Sequence, residues 1–290
     1  MPFTLSHAAA VLPALRTSGT GRAGLVPAVM VAGSFAPDMT YYAASVLSGA
    51  MEFGDVTHSF PGVLTVDVVI AWALVGVWLL LREPLVALLP ARLQARPAAL
   101  LRCGAPRARV TPALAARWYV SAVLGGLTHV VWDAFTHLDR WGMRLFPVLG
   151  EEVAGSPLYW YLQYGGSAVA AVVIGVFVAV ALRRTRGVGA GIPTPGVPVL
   201  SVRDRWAAVA VLGACAGVAA FQRASRWWDY WGATAKYWEL IPTLCFGAGA
   251  GLAVGLLLYG ATVRLWRPVP VPGSTGTGGA VRERSRPGVR

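Results

Sequence analysis

Apolar positions in this chain gather into long stretches separated by short polar ones, and the lengths of those stretches set the fold class. A helix that crosses a bilayer needs about 20 predominantly apolar residues. Residues 63–81, 165–182 and 240–263 meet that need, and residues 206–221 form a shorter span. A fifth apolar stretch, residues 114–135, ends in polar side chains. Residues 5–15 and 24–35 are too short to span alone and read as re-entrant or core helices. The pattern predicts an all-α, polytopic helical membrane protein with about five spanning helices plus short N-terminal helices. Residues 1–165 form the unit that carries the polar chemistry, and residues 166–263 the C-terminal transmembrane helices. Residues 264–290, rich in Pro, Gly, Ser, Thr and Arg, read as a disordered cytoplasmic tail, and residues 187–200 as a Gly/Pro connection.

Composition agrees with lipid as the solvent. The chain is 56% hydrophobic and only 13% charged, about half the charge of a soluble domain. Its net charge of +12 is nearly all arginine and sits beside the apolar runs, the mark of cytoplasmic loops rather than of a nucleic-acid-binding face. Residues 82–117, 183–205 and the stretch from Arg264 onward hold these arginines and should face the cytoplasm. Residues 136–164 and 222–239 carry Trp and Tyr clusters instead and should lie outside, together with residues 1–62. The location that follows is the plasma (inner) membrane. Cys103, Cys215 and Cys245 form neither a disulfide framework nor a thiolate site. The N-terminus lacks the positive start of a signal peptide, so His7 is expected to be retained.

Against this apolar background the few ionisable side chains stand out. His129, Asp133 and His137 are four residues apart, and on a helix each such step drifts by about 40°, so the three share one face. Two imidazoles and a carboxylate on one stripe suit a first-row divalent ion. An aspartate in an apolar helix costs about 2.5–3.5 kcal/mol unless something compensates it, and Asp133 has no basic residue within a helical turn. His7, Asp38 and His58 lie upstream and fall on the same side of the membrane, enough for one full site or for two ions sharing a ligand. Each histidine follows Ser or Thr, whose hydroxyls could support the rings. Plainer readings exist: Pro37-Asp38 as a turn, His58 as a helix start, Asp67 as a favourable acid in a first turn. Gly247, Gly249, Gly251 and Gly255 suggest close helix packing in lipid.

Several segments together resemble a known family. They are residues 1–10, Gly33-Ser34-Phe35-Ala36-Pro37-Asp38, Thr57-His58-Ser59 and Gly125-Gly126-Leu127-Thr128-His129-Val130-Val131-Trp132-Asp133-Ala134-Phe135-Thr136-His137. They resemble the DUF4184 family of actinobacterial membrane proteins, and their order is similar to that of YdjM-like membrane-bound metal-dependent hydrolases. More distantly, the His-x3-Asp resembles that of zinc-dependent phospholipase C. The resemblance covers residues 1 to about 165. It implies that His7, Asp38, His58, His129 and Asp133 are metal ligands and that the reaction is hydrolytic. Thr40 stands where the YdjM-like pattern tends to carry a second acid.

The expected cofactor is a divalent metal, Zn²⁺ by ligand type. The expected activity is hydrolysis of an ester or phosphoester at the extracytoplasmic face, with a membrane lipid or other amphiphile as substrate. Arg140 or Arg144 would offset phosphate charge, and Glu151, as a non-ligating acid, would serve as general base. The rival reading is a non-catalytic membrane protein with a structural metal. Transport is disfavoured because the spans after Gly165 are almost free of ionisable residues.

Overall fold

In a computed structural model the described residues are 3–105, 109–138, 140–185, 196–234 and 240–267. The tail beyond residue 267 and most of the 187–200 connection therefore lie outside the described residues. A run of short helices opens the chain: α1 (Ala8–Val11), α2 (Pro27–Phe35), α3 (Met39–Ala43), α4 (Gly54–Thr57) and α5 (Phe60–Leu64). Longer ones follow: α6 (Val66–Ala87), α7 (Ala91–Leu100), α8 (Pro112–Ala134), the short α9 (Trp141–Leu145), then α10 (Leu158–Arg184), α11 (Val202–Trp231) and α12 (Leu240–Trp266). Two-residue strands at Glu152–Val153 and Ser156–Pro157 pair antiparallel between α9 and α10.

Among the described residues four helices, α6, α10, α11 and α12, are long and apolar enough to cross a membrane. The expected fifth is α8. Its 23 residues reach about 35 Å at 1.5 Å per residue, but Arg117, His129 and Asp133 dilute its apolar content and it is not one of the four. The spans are also longer than the apolar runs. Tyr159–Tyr164 form the first turns of α10 and Trp227–Trp231 the last turns of α11, rather than connections. Backbone groups entering the headgroup layer are still best satisfied by continuing the helix, and aromatic rings suit that depth.

The arginine-rich ends gather at one end of the bundle. Glu83 on α6 pairs with Arg82 (2.7 Å) and with Arg264 on α12 (2.8 Å). Arg205 on α11 donates to the Ala87 carbonyl (3.1 Å), and Arg267 meets Asp204 (3.1 Å). The N-terminal segment corrects one expectation, because residues 1–62 do not all stay at the opposite end. Arg184 donates to Thr17 Oγ1 (3.1 Å) and Arg117 to the Gly24 carbonyl (2.6 Å). The turn between α1 and α2 thus reaches the arginine-rich end, and α2 climbs back toward Asp38. The two short stretches, α1 and α2, pack against each other, α1 also against α10 and α2 against α8.

Helices α2 and α8 run parallel, with the Val26 N–H donating to Ser121 Oγ (2.9 Å) near one end and the His129 ring donating to the Ser34 carbonyl (2.7 Å) near the other. Glycine sets their separation. A Cβ on Gly33 would lie 2.4 Å from the Ala122 carbonyl oxygen, and one on Gly125 only 2.2 Å from that of Met30. The expected close packing of the C-terminal hairpin is also present: a Cβ on Gly251 would sit 2.1 Å from the Cys215 carbonyl oxygen. Forcing a methyl into such a contact costs about 1–3 kcal/mol. Gly125→Ala should therefore lower the thermal unfolding midpoint in detergent by several degrees. Gly175→Ala, where nothing lies within 4 Å, should leave it unchanged.

Candidate metal centre

Three backbone carbonyls and one hydroxyl relay assemble the site. His129, one turn before the end of α8, is fully buried, and its Nδ1–H is held by Ser34. His58 caps the end of α4, and its Nδ1–H donates to the Gly54 carbonyl (2.9 Å). In both rings the Nδ1 proton is committed to a carbonyl, which leaves Nε2 as a lone-pair donor. Thr57 donates to the Pro37 carbonyl (2.8 Å), tying the Thr57-His58-Ser59 segment to the Pro37-Asp38 turn. Thr4 donates to Asp38 Oδ2 (2.5 Å) and itself accepts from the Tyr42 hydroxyl (3.0 Å), so Asp38 Oδ1 is the oxygen left facing the rings.

The hydroxyls that precede the histidines serve the backbone more than the rings. Ser6 donates to Phe3, Thr57 to Pro37, Thr128 to Gly125 and Thr136 to Trp132, while the approaches of Thr57 and Thr136 to imidazole nitrogens are longer, 3.4 and 3.3 Å.

Asp38, His58, His129 and Asp133 are all buried, and one ligand atom of each lies within 4.8 Å of the others. His129 Nε2 is 3.5 Å from Asp38 Oδ1 and 3.3 Å from Asp133 Oδ2, and His58 Nε2 is 3.5 and 3.6 Å from the same two oxygens. These separations exceed hydrogen-bond lengths. They match the edge of a coordination tetrahedron, about 3.3 Å for bonds of about 2.0–2.1 Å. His129 Nε2 is buried without a hydrogen-bond partner. A divalent cation fits this donor set: two neutral imidazoles, two carboxylates and no thiolate.

His7 adds a third ring. It stacks on His129 with centroids 3.5 Å apart and an interplanar angle of 11°, and its Nε2 is 3.5 Å from Asp133 Oδ1. Neither of its nitrogens has a hydrogen-bond partner among the described residues, although the ring is 1% exposed. Burial, with the His129 ring beside it, pushes the His7 imidazole well below its usual range and keeps it neutral. Burial alone would raise Asp38, but positive charge beside it outweighs burial and holds this carboxyl well below the carboxylate range; protonated His129 supplies that charge where no cation does. For His58 burial opposes charge, yet the neighbouring carboxylates of Asp133 and Asp38 raise it above its ordinary value.

His137 stands apart from this tight set, because α8 ends at Ala134 and the chain turns. Its Nδ1 is 3.6 Å from Asp133 Oδ1, while its Nε2 takes the Gln163 amide at 3.0 Å. Burial pushes its ring down to about 4. Arg140 and Arg144 do approach the site. A cavity of about 190 Å³ is lined by His58, Val130, Asp133, Arg140, Trp141 and Arg144. A larger one of about 360 Å³ shares His58, Asp133 and Arg140 with it and is also lined by Asp38, Tyr41, Tyr164 and Phe246. Burial pushes the Tyr41 phenol up to about 12, so it remains a neutral donor. Glu151 is exposed and lines neither cavity, so the structure does not bring the expected general base to the site. Thr4, Tyr41, Tyr42, Gln163 and Phe246 were not singled out in the sequence, and a hydroxyl or an amide carries no spacing signal that would have marked them.

A family model described as a domain of unknown function, DUF4184, matches residues 1–261. The chain belongs to the DUF4184 family. Comparison with curated proteins and with solved structures gave no match, so the likeness to YdjM-like proteins and to zinc-dependent phospholipase C rests on the sequence motifs alone.

The DUF4184 match runs well past residue 165 and takes in α11 and α12, whose contacts with the site give a physical reason. Arg223 on α11 donates to the Tyr41 carbonyl and to Ser45 Oγ (both 2.7 Å), and Arg226 to the Ser45 carbonyl (2.7 Å). Phe246 on α12 packs edge-on against Tyr42 with centroids 5.0 Å apart. A Cβ on Gly249 would lie 2.2 Å from the Tyr42 ring. The C-terminal hairpin thus presses on Tyr42, which holds Thr4, which holds Asp38. Tyr42→Phe removes one hydroxyl from that relay and should weaken metal binding by about tenfold, the loss of one charge-assisted network member. Titration with a metallochromic chelator would show this, while the melting temperature of the metal-free protein should hardly change.

Proposed function

We propose that this DUF4184 protein is a membrane-bound, metal-dependent hydrolase acting on an ester or phosphoester at the extracytoplasmic face. The observation that carries the reading is the meeting of two Nδ1-anchored imidazoles and two buried carboxylates, of which Asp38, His58 and Asp133 line a 360 Å³ cavity. Four protein ligands complete a tetrahedron, as in a structural site; the cavity against Asp38, His58 and Asp133 gives solvent or substrate room to join as a fifth ligand, as a catalytic ion requires. Asp38, His58, His129 and Asp133 would hold the cation, with Zn²⁺ the best match to nitrogen and oxygen donors without thiolate. Such an ion supplies Lewis acidity and lowers the pKa of water at the site.

The chain's own residues do the rest. Ser34 and Gly54 fix the tautomers of the two rings, and the Thr4–Tyr42 relay fixes Asp38. The phenol of Tyr41 and the amide of Gln163 face the cavity as neutral hydrogen-bond groups. His7 and His137 face the second oxygen of Asp133, so a second ion sharing that carboxylate is accommodated by the same ligands. The arginine-rich end, read as cytoplasmic by the positive-inside rule, supports a site on the extracytoplasmic side of the plasma membrane. One observation favours the rival reading of a non-catalytic structural metal: among the described residues, no acid other than the ligands Asp38 and Asp133 lines either cavity.

Metal analysis of detergent-purified wild type beside His129→Ala and Asp133→Ala tests the reading, followed by a screen of ester and phosphoester substrates. Stoichiometric metal in the wild type, its loss in both variants and turnover only in the loaded protein are expected. Equal metal content in all three proteins would remove the site. Stripping the metal from the wild type should also lower its melting temperature, because a ligand that binds only the folded state stabilises it. Readdition of Zn²⁺ should restore it.

A further inference from the structure

Arg140 and Arg144 are the two cationic side chains beside the centre, and neither forms an ion pair or hydrogen bond among the described residues. Arginines near carboxylates ordinarily pair with them. Here Asp133 is instead surrounded by imidazoles from His7, His58, His129 and His137. Both arginines line a small cavity whose remaining wall is His58, Asp133, Val130 and Trp141. With a divalent cation balancing Asp38 and Asp133, the arginines leave this compartment with a local charge of about +2, suited to an anion with several oxygens. The compartment adjoins the larger cavity through Arg140, His58 and Asp133, and that cavity is walled by Tyr41, Met51, Tyr164, Pro242 and Phe246. Leu138, Leu145 and Phe146, on the same segment as the arginines, are 58%, 64% and 53% exposed, an apolar surface beside the cationic one.

We infer that the two cavities together form a binding site for a phosphate-bearing amphiphile. The phosphate is held between Arg140 and Arg144 next to the metal ligands, and the apolar portion lies against Tyr164 and Phe246. The inference rests on the metal-centre reading and narrows its substrate from any ester to one that carries phosphate. Guanidinium groups match the paired oxygens of phosphate bidentately, whereas a neutral carboxylic ester offers no charge for them to meet. An aromatic and aliphatic wall suits a substrate that is amphiphilic rather than fully soluble.

The test uses the full chain in detergent, loaded with Zn²⁺, and inorganic phosphate as the first probe, followed by calorimetry or ³¹P line broadening. Arg140→Ala and Arg144→Ala should each weaken phosphate binding about tenfold or more, with metal content as in the wild type. Phosphatidylglycerol in phosphatidylcholine nanodiscs should compete with phosphate, and phosphatidylcholine alone should compete less. Phe246→Ala should weaken the lipid but not the free phosphate. Phosphate binding that ignores both arginines overturns the inference while leaving the metal centre standing. Arginine-dependent phosphate binding to a protein that holds no metal supports the anion site and overturns the centre instead. Arginine-dependent binding of phosphate with no competition from phosphatidylglycerol overturns the amphiphilic half.

Discussion

Two carboxylates, Asp38 and Asp133, are buried within a membrane-protein interior at 2% and 4% exposure, and the rest of the architecture answers that cost. An isolated ion in such surroundings would be penalised by several kcal/mol. Neutral imidazoles alone relieve it poorly, since their Nε2 atoms stand 3.3–3.6 Å from the carboxylate oxygens, too far for good hydrogen bonds. A cation relieves it directly. This single constraint explains why the short re-entrant helices, the glycine contact between α2 and α8, and the hydroxyl relay all converge on one point.

Much of this was legible in the sequence because membranes make polar residues conspicuous. The His129, Asp133 pair could be read from spacing alone, and its partners His7, Asp38 and His58 from their scarcity in an apolar chain. Helix ends were less legible: tyrosines and tryptophans that flank the apolar runs extend α10 and α11, because an interfacial ring is no reason to leave the helix. The descent of residues 15–24 to the arginine-rich end was hidden as well. Neither flanking helix is long enough to announce a crossing, and the arginine contacts that reveal it, from Arg117 and Arg184, come from distant segments. Glu151 illustrates the opposite error. Being an acid outside the ligand set suggested a role for it, but Glu151 is exposed beside the Glu152–Val153 hairpin and lines neither cavity.

The division of labour between the two halves also changes with the structure in view. The N-terminal half supplies every candidate metal ligand, yet Pro242 and Phe246 of α12 wall the cavity, and Arg223 and Arg226 of α11 clamp Tyr41 and Ser45. The glycine-rich hairpin of α11 and α12 is therefore more than a membrane anchor. Its close packing through Gly247, Gly251 and Gly255 gives a rigid post, and Gly249 lets that post touch Tyr42 without a side chain between them. Family membership spanning residues 1–261 is consistent with one cooperative unit of this kind.

The central claim is that scarce imidazoles and carboxylates from distant parts of the chain enclose a cation. X-ray absorption at the metal edge of the purified full-length protein tests it most directly. The expected spectrum shows nitrogen and oxygen scatterers at about 2.0–2.1 Å with the outer-shell pattern of at least two imidazoles. A sulfur shell at about 2.3 Å, or a spectrum without imidazole scattering, would contradict it.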